Sequence, residues 1–406
     1  MAEPAPPAVA ALAGLRVLDL ADESAVFATR ILADLGADVI LVEPPGGSRA
    51  RHLAPFLDGQ VGVERSLVHL YHNANKRSIT LDIASGEGAE LLRRLAAGAD
   101  VLVETARPGK MADLGLGYDE LGERNPQLIY VSVTPFGQNG EWKERAANDL
   151  VAAAAGGLLW VTGEPKDPPV QGAANPSFAM ASLVATTGVM IALTGRDRAI
   201  DAWGAHLDIS LQEATVMSVL QTSNPNHFAW HERVPGRPGM SGALECADGE
   251  WVAFNPRPDR FSGFLEWLEE AGIETDLTPD DWAKARIGAP LEGNPMRELI
   301  LELGRRHERE EFLRHAFRTD QLCLPTTDFP YMANHEHFAV NRQFLAVEHE
   351  LLGRELGFVR SPVDAMAREI PLRRAPALGE HNVEVYAELG LSGDEVDRLV
   401  ERGLVS

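Results

Sequence analysis

From Arg16 onward, short apolar runs alternate with longer stretches in which apolar positions recur every three or four residues. Arg16-Val17-Leu18-Asp19-Leu20 predicts a buried strand, Ala25 to Leu35 an amphipathic helix stopped at Gly36, and Asp38 to Val42 a second strand. The unit then repeats, with helix Glu87 to Ala97 closed by Gly98, strand Val101 to Glu104, a short helix near Asp119, and strand Leu128 to Val133. Strands alternating with helices imply an α/β fold, a parallel sheet covered on both faces. The uncharged stretch Phe178 to Thr194 contains Ser and Thr, falls short of a membrane span of ~20 residues, and predicts a buried helix. Strand His206 to Ser210 follows it.

The texture changes at Pro225 to Gly242, where a linker is expected. Beyond it, Ala243 to Cys246 and Trp251 to Asn255 flank Asp248-Gly249, a hairpin signal, and helix Phe261 to Glu270 follows. These predict a smaller α+β domain. A second irregular stretch, Leu324 to Met332, leads to Gly379-Glu380-His381-Asn382 and a helix from Asp394 to Arg402. At 406 residues the chain exceeds the usual size of one core, so the expected division is 1–224, 225–332 and 333–406.

Ligands of parallel sheets sit beyond the carboxyl ends of the strands, which directs attention to the turns after Leu20, Val42, Glu104 and Val133. The first has no glycine, so a dinucleotide cofactor gains no support from it. A formal net charge of −23 argues against nucleic acid or an anionic membrane as partner. An anionic ligand must therefore be held locally, and Arg49, Arg51, Lys76, Arg77, Arg107 and Lys110 are the basic residues gathered in the first third. Cys246 and Cys323 stand in unrelated contexts without Cys-x-x-Cys spacing, and Met1 to Pro7 lacks the pattern of a signal peptide; both fit a cytoplasmic protein. His335-Glu336-His337 reads as a surface loop rather than a metal site, because i,i+2 spacing puts its histidines on different helix faces. The tryptophans share no period and read as core and interface residues.

Asp149 heads the apolar run Leu150 to Gly157 directly after Asn148. Two readings compete. A carboxylate there can cap a helix by accepting backbone N–H groups. It can also act as a nucleophile aimed at an acyl group.

Several separate blocks then carry a resemblance. They are Gly14 to Leu20, Leu32 to Ile40 with Val42-Glu43, Asn75-Lys76-Arg77-Ser78-Ile79-Thr80-Leu81-Asp82, Arg107-Pro108-Gly109, Asn125 to Tyr130, Leu207 to Leu211 with Glu213-Ala214, and Leu378-Gly379-Glu380-His381. In this order and spacing the chain resembles the class III CoA-transferases, the family of formyl-CoA transferase and carnitine CoA-transferase, over nearly its whole length. The resemblance implies a Rossmann-like large domain built from both chain ends, an inserted small domain, and two chains interlocked as a homodimer. It implies no permanently bound cofactor, acyl-CoA and a free carboxylic acid as substrates, and Asp149 as the residue that attacks the thioester. A carboxylate suits that task, since its acyl derivative is a high-energy mixed anhydride and the ion forms at neutral pH without a partner base. Backbone N–H groups near Gly156-Gly157 or on a neighbouring loop are the expected oxyanion donors.

Carried over by position, the CoA contacts are Ser24, Ala25, Arg51, Asn73, Asn75, Lys76, Thr105, Arg107, Phe136 and Gly137, with Lys76, Arg107 and Arg51 expected on phosphates. The chain departs from the family pattern at Val26-Phe27, Ser48 and Thr105-Ala106, and its glycine-rich lid is reduced to the segment Gly236 to Gly242. In the racemase branch a His next to the Asp and a second Asp form a two-base pair; here those positions are Asn148 and Phe178, which carry no proton. Residues around Asn226, His227, Trp230 and Met240 are expected near the acyl group. The leading expectation is transfer of CoA between an acyl-CoA and a free acid. The alternatives are an acyl-CoA isomerase or intramolecular transferase of the same fold, and a weakly active subunit of a heteromer.

Overall fold

The computed structural model describes residues 10–163, 168–198, 202–220, 242–278, 280, 295–360 and 370–406. The chain forms two compact units, Met1–Pro225 with Arg342–Ser406, and Asn226–Asn341. The expected linker and shortened lid, and with them Asn226, His227, Trp230 and Met240, lie outside the described residues apart from Gly242.

The first unit is built on six strands: β1 (Arg16–Leu20), β2 (Asp38–Glu43), β3 (Arg77–Thr80), β4 (Val101–Glu104), β5 (Ile129–Thr134) and β6 (Ala205–Ser210). They pair in parallel in the order β3-β2-β1-β4-β5-β6, with Val17 opposite Val39 on one side and Val101 on the other. This is the doubly wound order, and its direction reverses between β1 and β4, where such sheets open a ligand crevice. Helices α1 (Val26–Asp34), α2 (Leu67–His72), α3 (Gly86–Ala96), α4 (Lys110–Asp113), α5 (Tyr118–Arg124), α6 (Asp149–Ala155), α7 (Pro176–Arg198) and α8 (Leu211–Leu220) accompany the strands.

Period-two alternation divides each strand between two cores. Val17, Val39, Val101, Val103, Ile129 and Val131 pack with Ala28, Leu32, Ala185 and Val189 of α1 and α7. Leu18, Ile40, Ile79, Leu102 and Tyr130 face Leu91, Leu92 and Leu95 of α3 together with Val385, Tyr386, Leu399 and Leu404. Each fully buried Leu, Val or Ile contributes roughly 1.5–3 kcal/mol. The long helix α7 is apolar enough to cross a membrane by length and composition; here its residues Ala181, Ala185, Val189 and Leu193 are buried in the first of these cores.

The second core shows why the large unit needs residues from both halves of the chain. Asn382 Oδ1 accepts the backbone N–H of Thr80 at 2.9 Å, and its amide donates to Thr80 Oγ1 at 3.1 Å and to the Ser406 carbonyl at 2.8 Å. Tyr386 donates its hydroxyl to the Thr80 carbonyl at 2.8 Å. These bonds take up polar groups along the free edge of β3, which otherwise invites pairing with another chain.

In the second unit, β7 (Gly242–Glu245), β8 (Trp251–Asn255) and β9 (Leu322–Pro325) form an antiparallel sheet, with Gly249 turning the first hairpin at φ 79°. Its core centres on Trp267, edge-on to Phe312 at 4.6 Å and to Phe254 at 5.9 Å. Strand β9 begins just before the stretch predicted as irregular, and a short helix, Phe329–Asn334, occupies much of the rest. The strand was hidden because only four residues pair, ending on a proline that can sit at a sheet edge. A further hairpin of the first unit, β10 (Phe344–His349) with β11 (Arg354–Val359), was likewise not anticipated; Glu348, Arg354 and Glu355 are exposed on it and its turn rests on Gly353 at φ 63°.

Candidate active site

Asp149 is almost wholly buried, 3 % exposed, yet it does not cap its own helix. Asn148 does so, accepting the Val151 N–H at 3.1 Å, and Asp149 is the first residue of α6. Its carboxylate instead meets the N-terminus of α7. Asp149 Oδ1 accepts the backbone N–H of Ser177 at 2.8 Å and of Phe178 at 3.1 Å, while among the described residues Oδ2 receives only a 3.4 Å contact from Gln171. The capping reading thus holds for a different helix from the one expected.

The local sequence explains this geometry. Ala174 and Asn175 adopt left-handed backbone at φ 64° and 51°, a region costly for residues with a Cβ, and deliver the chain into Pro176. Proline at the first helical position has no N–H to satisfy, so the first free donors of α7 are those of Ser177 and Phe178. The positive end of a 23-residue helix therefore faces an acid held out of water. Asn175-Pro176-Ser177 was the sequence signal for this arrangement; Gln171 carried none.

Gly156 and Gly157, the expected oxyanion donors, are engaged elsewhere. Their N–H groups bond to the carbonyls of Ala152 at 2.8 Å and Ala154 at 3.2 Å and close the far end of α6. Gly156 has a packing reason, since a Cβ there would lie 2.6 Å from Thr215 of α8.

Four of the expected CoA contacts form an internal framework. Lys76 is buried, and its ammonium donates to Asp19 at 2.8 Å, Thr29 at 2.8 Å, Asn73 at 2.9 Å and the Val26 carbonyl at 3.2 Å. Asn73 also bonds to His69 at 3.0 Å. Asn75, at φ 66°, donates to Asp34 at 2.7 Å and accepts the Arg373 N–H at 2.7 Å. Arg51 is fully enclosed and clamps Glu43 through two bonds of 2.7 and 2.8 Å, with Glu64 at 2.8 Å. In all four, the polar atoms are committed to the protein rather than turned outward.

The other positions gather at the crevice. Ser24 bonds to Asp22 at the head of α1, Ala25 is buried beneath it, and Thr105 accepts the Asp22 N–H at 2.9 Å, tying the β1 turn to the β4 turn. Arg107 is exposed and, among the described residues, has only a loose 3.6 Å pairing with the equally exposed Asp113. Phe136 packs edge-on to Trp142 at 5.5 Å, and Gly137 turns at φ 84° where a Cβ would come within 3.5 Å of the Asp208 carboxylate. Arg49, which opens a short 3-10 turn after β2, and Arg145, in the loop after β5, are exposed cations. Glu104, ending β4, is raised to about 7, first by burial and further by Asp208 and Asp22, against hydrogen bonds from Ser132 and Ala106.

His335 accepts the His337 N–H through Nδ1, and both are exposed on a short helix start. Among the described residues, His307, Glu311 and His315 place ligand atoms within 4.8 Å of one another. Arg318 donates to His315 Nδ1 at 3.2 Å, whereas His315 Nε2 faces Glu311 at 3.9 Å.

A search of known families decides what the fold and this carboxylate belong to: the sequence model of CoA-transferase family III matches residues 12–382. The chain belongs to CoA-transferase family III. It is 33% identical over 404 residues to subunit BbsE of succinyl-CoA:(R)-benzylsuccinate CoA-transferase of Thauera aromatica, covering 96% of this chain and 97% of that one. It is 30% identical to the beta subunit of succinyl-CoA–L-malate CoA-transferase of Chloroflexus aurantiacus, covering 97% and 98%. Among solved structures, a CaiB/BaiF family protein from Brucella suis superposes with a TM-score of 0.79 at 28% identity, over 93% of this chain and 99% of that one. A family III CoA-transferase thus has its parallel sheet, its crevice and a buried aspartate in one unit.

Two outcomes follow from this geometry. Lys76→Ala leaves Asp19 buried and unpaired, so denaturant titration should show a loss of about 3–5 kcal/mol; unchanged stability with lost CoA binding would instead turn the ammonium toward the ligand. Glu104 keeps its proton in the fold up to about pH 7, whereas the unfolded chain releases it above its ordinary value of 4.5. The native state then binds more protons, so this contribution is fully present below pH 4.5 and is lost as pH rises through 7. Glu104→Gln should flatten that fall, of about 3 kcal/mol, in stability measured between pH 4.5 and 8.

Proposed function

We propose that this enzyme moves CoA between an acyl-CoA and a free carboxylic acid through covalent intermediates on Asp149. The observation that carries the reading is the asymmetric holding of that carboxylate: Oδ1 is fixed by two amides of α7, and Oδ2 has, among the described residues, only the 3.4 Å contact of Gln171. Oδ2 thus retains a lone pair for attack.

Attack of Oδ2 on the thioester carbonyl carbon breaks the C–S bond, releases CoA thiolate and forms a mixed anhydride. The thiolate attacks the aspartyl carbonyl carbon, the C–O bond breaks, and the first acid departs as carboxylate, leaving aspartyl-CoA. The acceptor carboxylate then attacks that thioester, expels thiolate and forms a second anhydride. Return of the thiolate to its acyl carbon yields the new acyl-CoA and restores Asp149. No step needs a general base, and the thioester free energy is never given to water.

For CoA itself, the exposed Arg107 is the proposed phosphate contact, assisted by Arg49 and Arg145, since all three stand in loops beyond the carboxyl ends of strands. Ser24, Ala25, Thr105, Phe136 and Gly137 are the proposed neighbours of the remaining arm. Lys76, Arg51, Asn73 and Asn75 are proposed to position the loops from within. Asn148 and Phe178 disfavour two-base racemisation, because neither side chain exchanges a proton. We further place the enzyme in the cytoplasm, in keeping with its two free cysteines, as an interlocked homodimer. Two relatives are each a named subunit of a transferase, which leaves a heteromer as the second arrangement.

Incubation with a panel of acyl-CoAs followed by mass spectrometry should show an adduct on the Asp149 peptide. Asp149→Asn should abolish both adduct and exchange; full activity in that variant would end the covalent-aspartate reading. Arg107→Ala should weaken CoA binding by about 1.5–3 kcal/mol in calorimetric titration, the worth of a charge-assisted contact, and an unchanged affinity would move the phosphates elsewhere.

A further inference from the structure

Three buried polar atoms that find no hydrogen-bond partner among the described residues belong to residues lining one cavity of about 260 Å³. They are Glu23 Oε2, His72 Nδ1 and Ser182 Oγ. Buried polar atoms are ordinarily paired, and an unmade bond at such a site is costly. Phe27, Leu53, Val68 and Phe178 supply the apolar part of the wall. The cavity reaches the nucleophile's support, because Phe178, which lines it, also donates its backbone N–H to Asp149. Ser182 lies one turn further along the same helix.

The charges around the cavity restrict what can enter. Glu23 pairs with the exposed Arg49 at 3.0 Å, and its pKa is raised by burial and by Asp22. His72 is pushed down to about 4 by burial and by the charges of Lys76 and Arg30, so its imidazole is neutral at pH 7. The lining residues include no lysine or arginine. A second carboxylate would face Glu23 without a cation in the wall to offset it. A hydroxyl, in contrast, donates to Glu23 Oε2 and accepts from Ser182. At the density of liquid water, about 30 Å³ per molecule, the volume holds about nine non-hydrogen atoms.

We propose that this cavity receives the tail of the transferred acyl group and selects an uncharged, hydroxyl-bearing acid over a dicarboxylate, with Glu23, His72 and Ser182 as the specificity-determining residues. The inference rests on the transferase reading above, and its test separates the two. Three acids of equal carbon number, 4-hydroxybutyrate, butyrate and succinate, are offered as acceptors with acetyl-CoA as donor, and each is also titrated calorimetrically. The hydroxy acid should exceed succinate about tenfold in kcat/KM, Glu23→Gln should narrow that ratio by raising succinate turnover, and Ser182→Ala should lower the hydroxy acid toward butyrate. Circular dichroism of each variant checks its fold, and Ser182→Ala alone decides the matter if Glu23→Gln does not fold. Succinate accepted as readily as the hydroxy acid by the native enzyme, or ratios unmoved in the folded variants, would overturn the pocket while keeping the transferase. Selective binding of the hydroxy acid without transfer of CoA to any acid would keep the pocket and overturn the transferase.

Discussion

The ammonium of Lys76 binds together the parts of the large unit on which the crevice depends. It stands just before β3 and reaches Asp19 of β1, Thr29 and the Val26 carbonyl of α1, and Asn73 after α2. Stripping water from a charge costs several kcal/mol, and only this full set of acceptors offsets it. The same contacts fix the start of α1, and with it the turn that carries Asp22, Glu23 and Ser24. Arg51 does the equivalent for the loop after β2 by clamping Glu43.

On that scaffold the site separates its charges. Acids crowd the floor of the crevice, with Glu104 near Asp22 and Asp208, while cations stand outside in the loops. An anionic ligand is thereby favoured at the rim and opposed at the floor. Asp149 is held by the amides of α7, which supply fixed dipoles rather than a mobile side chain.

Most of the parallel sheet was legible in the sequence because β2, β4 and β5 are nearly continuous apolar runs of the kind a doubly covered sheet requires. The observed strands β1, β2, β4, β5 and β6 fall within a residue or so of the predicted bounds. Short antiparallel strands such as β9 and β10 were not, since they alternate weakly and gain their identity from partners far along the chain. Asp149 stood out for a local reason, an acid before small apolar residues, but its partner helix could not be read from spacing. Lys76 and Arg51 illustrate the main limit. A basic residue written beside a motif looks the same whether its charge meets a phosphate or a buried carboxylate, and only the tertiary positions of Asp19 and Glu43 decide. Glu23 and His72 were passed over because they are far apart in sequence and meet only across the cavity.

The bonds from Thr80 to Asn382 and Ser406 span more than 300 positions of the chain. A ribosome emits residues in order at roughly 5–20 per second. The strand β3 therefore emerges many seconds before the segment that seals it, and throughout that interval its edge and the apolar side of Ile79 are open to any neighbouring nascent chain. Folding of this unit is set by the arrival of its distant C-terminal segment rather than by local helix and strand formation. In a cell, demand for a chaperone would concentrate on the window between the synthesis of residue 80 and that of residue 406.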